Sequence, residues 1–90
     1  MNHLTPYKLF ESNQTWSEIN GKLQREFEFS DFQQALEFIN EIAKICESEN
    51  HHPEINWAYN KVILKLSTHD AGDIITQKDI KLAELIDEVA

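Results

Sequence analysis

The chain has 90 residues, the size of one domain spanning 1–90, and so small a domain has little stability to spare for a deep cavity, which favours a shallow site or one completed by a second subunit. A hydrophobic share of 41%, five Phe, two Trp and two Tyr, with only two Gly and two Pro, exclude a disordered or low-complexity chain. Sixteen acidic against eight basic residues give a net charge of −8, which disfavours direct binding to a nucleic-acid backbone wherever that charge is evenly spread.

In chain order, Met1 to Thr5-Pro6 carries neither a basic leader nor a long apolar stretch, and no segment approaches the roughly 20 apolar residues of a membrane span. A soluble cytoplasmic protein is expected. Thr5-Pro6 reads as an N-cap followed by Pro at the first helical position, and Tyr7, Leu9 and Phe10 give a short first helix that stops by Glu11. Strands on either side of Asn20-Gly21 form a hairpin, because that pair readily takes the positive φ angles of a type I′ turn. On its second strand Leu23, Arg25, Phe27 and Phe29 share one face, while Gln24, Glu26 and Glu28 share the solvated one.

From Ser30 the period becomes helical. Phe32, Ala35, Leu36, Ile39, Ile42, Ala43 and Cys46 form the apolar stripe, Ser30 and Gln33 form a capping box, and Pro53 ends the helix at about Glu47 or Glu49. Cys46, the single cysteine, reads as a small buried hydrophobe in a reducing compartment. A second hairpin follows, with Ile55, Trp57 and Tyr59 on one strand, a turn at Asn60-Lys61, and Val62, Leu64 and Leu66 as the core stripe of the other. One long bent strand is the alternative. Thr76 and Asp79 cap a closing helix whose apolar face holds Ile80, Leu82, Ala83, Ile86 and Val89. The order α-β-β-α-β-β-α makes a two-layer α+β sandwich, a four-stranded antiparallel sheet with helices on one face. Its bare face and exposed edges favour oligomers.

The functional signal lies in Glu47-Ser48-Glu49-Asn50-His51-His52-Pro53-Glu54 and in Thr68-His69-Asp70. Imidazole titrates closest to neutral pH, so three of the four histidines gathered at one pocket would suit proton transfer. His51 and His52 are adjacent and so point apart, lining two parts of a cleft. His69 falls on the side of Lys65 and Ser67, away from the core, if the strand alternation continues to it. Two other readings stand beside this one: histidines that merely decorate surface loops, and a zinc site, for which the ligand spacing is poor. Glu47 can orient an imidazole one helical turn away or simply finish its helix's polar face, and Asp79 is already engaged as a capping-box acid. Asp70 can bind ligand hydrogens or shape a turn before Gly72. Trp57 and Tyr59 fit the core or the sheet surface better than a ligand platform.

The run Glu47-x-x-x-His51-His52-Pro53, followed by Tyr59, His69 and Asp79, resembles the pterin-4a-carbinolamine dehydratases. So does its frame of Trp16, Arg25-x-Phe27-x-Phe29, Asp31-Phe32, Ala35, Phe38, Tyr59-Asn60-Lys61-Val62 and Leu82-Ala83. The resemblance implies the same α+β sandwich and the dehydration of 4a-hydroxytetrahydropterin to quinonoid dihydropterin, which restores tetrahydrobiopterin after an aromatic amino acid hydroxylase has used it. By the same resemblance His51, His52 and His69 are catalytic, with His51 and His69 as acid/base groups and His52 mainly holding the pterin. His51, His52, Pro53, Thr68, His69, Asp70 and Ala71 contact substrate, and Glu47 and Asp79 support the histidines. No metal and no cofactor is implied, and a homodimer or homotetramer is. Two departures stand out. Gly72-Asp73-Ile74-Ile75-Thr76 is one residue longer than the family's Gly-Gly-Leu-Thr turn and lacks its second glycine, and the N-terminal helix is curtailed. A non-catalytic interaction or dimerisation module on the same scaffold is the alternative reading.

Overall fold

The computed structural model describes residues 16–90, and the short first helix expected at Thr5-Pro6 lies outside them. Strands β1 (Ser17–Ile19), β2 (Lys22–Glu28), β3 (Glu54–Ala58) and β4 (Lys61–Leu66) form one antiparallel sheet in the order β1-β2-β4-β3. Helix α1 (Phe32–Glu49) carries the chain from β2 across the sheet to β3, and α2 (Gln77–Val89) closes the fold. The expected α+β sandwich is present. Asn20 and Gly21 both take positive φ, 53° and 78°, as a type I′ turn demands.

Alternation builds the sheet's inner face. Arg25 and Phe27 of β2 sit opposite Leu64 and Val62 of β4, and these four are buried together with Phe29 and Leu66. Ala35, Phe38, Ile42 and Cys46 from α1 and Leu82, Ala83 and Ile86 from α2 complete the core. Phe38 packs 4.7 Å from the Phe27 ring and 5.0 Å from Phe29, and each fully buried aromatic contributes about 1.5–3 kcal/mol. Arg25 is buried among them because its guanidinium lies over Phe27 and donates to Asp87 of α2 at 2.6 Å, an acceptor it shares with the Trp16 indole. The outer face is polar, with Lys22 and Lys65 beside Glu54 and Lys61 beside Glu26.

Four local expectations shift. On α2 the buried stripe runs through Asp79, Leu82, Ala83 and Ile86, which leaves Ile80 of the expected apolar face exposed. The α1 cap is Asp31, whose carboxylate accepts from the Gln34 amide at 2.8 Å, in place of the Ser30–Gln33 box; an ionised acceptor suits the positive end of a helix. The buried stripe runs through Phe38, leaving Phe32 and Ala43 exposed, because Phe38 faces the two sheet phenylalanines while Phe32 stacks on Trp57 at the sheet's edge. The second hairpin turns at Tyr59-Asn60 rather than Asn60-Lys61. Asn60 is held there by two bonds to Phe29: its side chain donates to the Phe29 carbonyl, and its carbonyl accepts from the Phe29 amide. Lys61 is thereby left to open β4 opposite Ala58. No described helix is long and apolar enough to cross a membrane.

Candidate active site

The helix-exit loop and the strand-exit loop meet at one end of the sheet. At the first, Asn50 adopts a left-handed conformation and its amide bonds back to Cys46 and Glu47, while the His51 amide bonds to Cys46. This Asn-capped stop releases His51 and His52 from the helix, and Pro53 prevents its continuation. The adjacent rings diverge as extended backbone requires. The side chain of His51 is 13% exposed and turned towards α2, whereas that of His52 is 57% exposed, with Nε2 2.7 Å from Glu47 at the end of α1.

Asp79 is the anchor of the first ring. It occupies the third position of α2, where it closes a capping box with Thr76, and no part of it is exposed. One carboxylate oxygen accepts from the Thr76 amide at 2.8 Å and the Thr68 hydroxyl at 2.7 Å; the other lies 2.6 Å from His51 Nε2. Since Thr68 gives its only hydroxyl proton to Asp79, the 2.6 Å contact between Thr68 and Thr76 has Thr76 as donor. Burial pushes the Asp79 carboxyl up. The bonds from His51, the Thr76 amide and Thr68, together with the His51 charge, outweigh it and hold the group below the ordinary aspartate range. An ionised Asp79 needs a proton on His51 Nε2, so neutral His51 keeps a bare, proton-accepting Nδ1.

On the other side β4 ends at Leu66, one step before its alternation would reach Ser67. Thr68 prolongs the buried stripe, its amide bonded to the Ile74 carbonyl at 2.8 Å, and the chain then coils into a single 3-10 turn, His69–Ala71. The expected alternation therefore stops short of His69. Its side chain is 89% exposed, with Nδ1 3.0 Å from Asp73. The Asp73 hydrogen bond, then the charges of Asp73 and Asp70, raise its pKa above the ordinary histidine value.

His51, His52 and His69 line one depression of about 310 Å³ together with Asn50, Ser67, Thr68, Asp70 and Lys78. That volume lies at the lower end for small-molecule sites. Ala71 lines an adjoining depression of about 450 Å³ with Thr68, Asp70, Thr76, Gln77 and Lys78, so the two share a wall. Pro53 lines neither. Asn50, Ser67, Lys78 and Asp73 were not among the expected site residues, although Asn50, Ser67 and Lys78 each stand directly beside one that was. Cys46 is buried, and that burial, with Glu47 nearby, pushes its thiol up to about 11, so it is unreactive near neutral pH. No group of three or more His, Cys, Asp or Glu among the described residues is placed to hold a metal ion.

The family model described as pterin 4 alpha carbinolamine dehydratase matches residues 4–89. A Prochlorococcus marinus protein bearing the name pterin-4-alpha-carbinolamine dehydratase is 48% identical over 82 residues, 91% of this chain and 84% of its own length. A Picosynechococcus protein of the same name is 45% identical over 74 residues, 82% of this chain and 79% of its own. Among solved structures, a transcriptional coactivator/pterin dehydratase from Brucella melitensis superposes with a TM-score of 0.79 at 35% identity, covering 87% of this chain and 84% of that one.

Proposed function

The chain belongs to the pterin 4 alpha carbinolamine dehydratase family, a family of hydro-lyases, and we propose that it removes water from 4a-hydroxytetrahydropterin to leave quinonoid dihydropterin. The observation that carries this reading is the meeting of three imidazoles, each tied to its own carboxylate, around one depression. In the reaction an imidazolium protonates the hydroxyl on C4a, the C–O bond breaks and water departs. The neighbouring ring nitrogen loses its proton to a second imidazole, and the freed electron pair forms the new C=N bond. One proton is given and one recovered, so no oxidant or reductant is consumed.

His51 and His69 are the acid/base pair in this proposal, and His52 chiefly holds the pterin. Asp79 and Glu47 support His51 and His52, Asp70 binds the ring's polar edge while Thr68, its hydroxyl already engaged by Asp79 and Thr76, walls the depression, and the depression beside Ala71 leaves room for the ring substituent. The physiological role we assign is tetrahydrobiopterin recycling in the cytoplasm beside an aromatic amino acid hydroxylase. Ile55 and Tyr59 are exposed on β3, an edge strand, and at its end, next to the Phe32–Trp57 stack. That edge favours a homodimer or homotetramer, and it is also the basis of the second reading, a non-catalytic interaction module. Stopped-flow absorbance of freshly generated 4a-hydroxytetrahydropterin separates the two. The dehydratase accelerates its decay, and His51→Ala or His69→Ala slows it by about 100-fold or more. Decay no faster than in buffer rejects the dehydratase and leaves the module as the reading that stands.

A further inference from the structure

We infer that Asp73 is a positioning residue for His69: its carboxylate takes the proton of Nδ1, fixes the ring's tautomer and orientation, and leaves Nε2 as the atom that exchanges a proton in the pocket. The inference rests on the reading of His69 as an acid/base group. It starts from the turn in which this sequence departs from Gly-Gly-Leu-Thr, where an aspartate stands in place of a second glycine.

Gly72 and Asp73 both adopt left-handed backbone, with φ of 91° and 60°. Glycine takes that region freely; among other residues aspartate and asparagine tolerate it best, though still at a cost. Three backbone bonds hold the turn: the Gly72 amide bonds to the His69 carbonyl at 3.0 Å, the Asp73 amide to the Thr68 carbonyl at 3.0 Å, and the Thr68 amide to Ile74. Two consecutive left-handed residues swing the chain back, so that the Asp73 carboxylate arrives 3.0 Å from Nδ1 of the ring four positions earlier. Left-handed backbone is thus accepted at the position from which the Asp73 carboxylate reaches His69.

The consequence is a division of labour between the rings. Facing His69 are Asp73 and Asp70 on its own turn, Lys78 from α2, and His51 and His52 from the loop after α1. The bond and charge of Asp73, followed by Asp70, raise the proton affinity of His69. His69 is then held ready to give a proton from Nε2. Its Nε2 proton passes to the leaving hydroxyl, which departs as water, and the proton of the adjacent pterin nitrogen passes to His51.

The test is a side-chain NMR titration of every histidine in the wild type, Asp73→Asn and Asp73→Gly, beside a pH profile of dehydratase kcat. Asp73→Gly retains the left-handed geometry and guards against a folding defect in the first variant. The expected result is a downward shift of the His69 midpoint in both variants with the other midpoints held, and a loss of kcat confined to the alkaline side. An unmoved His69 midpoint overturns the inference. So does an unchanged kcat profile in variants whose midpoint has moved, provided His69→Ala is inactive. A fully active His69→Ala, with the midpoint still shifted in Asp73→Asn, instead removes His69 from the reaction and takes the catalytic role of Asp73 with it.

Discussion

Two imidazole–carboxylate pairs face one depression under opposite conditions. His51 and Asp79 meet where α2 closes over the sheet, the carboxylate fully buried and also holding Thr68 and the Thr76 amide. His69 and Asp73 meet on an exposed turn, with the charge of Asp70 nearby. Similar chemistry therefore carries different obligations. A buried carboxylate must stay satisfied or the fold suffers, whereas an exposed pair is screened by water and can serve proton transfer with little effect on stability.

The largest separation of the two pairs comes from Asp79→Ala, which strands His51, the Thr68 hydroxyl and the Thr76 amide at once. Urea unfolding should show a loss of about 3–5 kcal/mol, together with loss of dehydration. An unchanged urea midpoint would remove Asp79 from the residues that hold the fold. Next, His51→Ala should cost about 1–3 kcal/mol as well as activity, because the Asp79 oxygen it met is left without a donor. His69→Ala should abolish activity while leaving the urea midpoint where it was. Equal destabilisation by both variants would erase the contrast.

The pH dependence sharpens the comparison because the two pairs carry opposite signs. Asp79 titrates lower in the folded chain than in the unfolded one, so its contribution is complete above the ordinary aspartate range and drains away as pH falls through the lowered value. Urea titrations below about pH 4 should show this slope, and Asp79→Asn should flatten it. His69 titrates higher when folded, so its contribution is present below about pH 6.5 and lost as pH rises through the raised value. Being exposed, that contribution is visible only in the ring's own NMR titration. The smallest effect is that of salt: raising ionic strength from about 0.05 to about 0.5 M should lower the His69 midpoint and leave the stability conferred by Asp79 almost untouched.

The legible parts of the chain are those in which neighbouring residues decide the outcome. Asn20-Gly21 sets its own turn, Thr76 and Asp79 cap each other three positions apart, and Val62, Leu64 and Leu66 alternate into the core as the pattern requires. The misplacements are choices between competent residues that packing decides. Ser30 and Asp31 are both competent caps, and Phe32 and Phe38 are both apolar; only the Phe27–Phe29 surface chooses Phe38 for the core, and only the bonds between Phe29 and Asn60 set the second turn at Tyr59-Asn60.

From the sequence alone came the histidines, their spacing, the sandwich order and the resemblance that names the family, because residue type and periodicity are properties of the chain itself. Which carboxylate meets which imidazole was decided by the tertiary structure. Glu47, Asp70, Asp73 and Asp79 all stand near a histidine along the chain or across it. Their reach depends on where α1 stops, where β4 breaks and how the turn at Gly72-Asp73 bends, and hydrogen bonds of 2.6, 2.7 and 3.0 Å tolerate little error in any of the three.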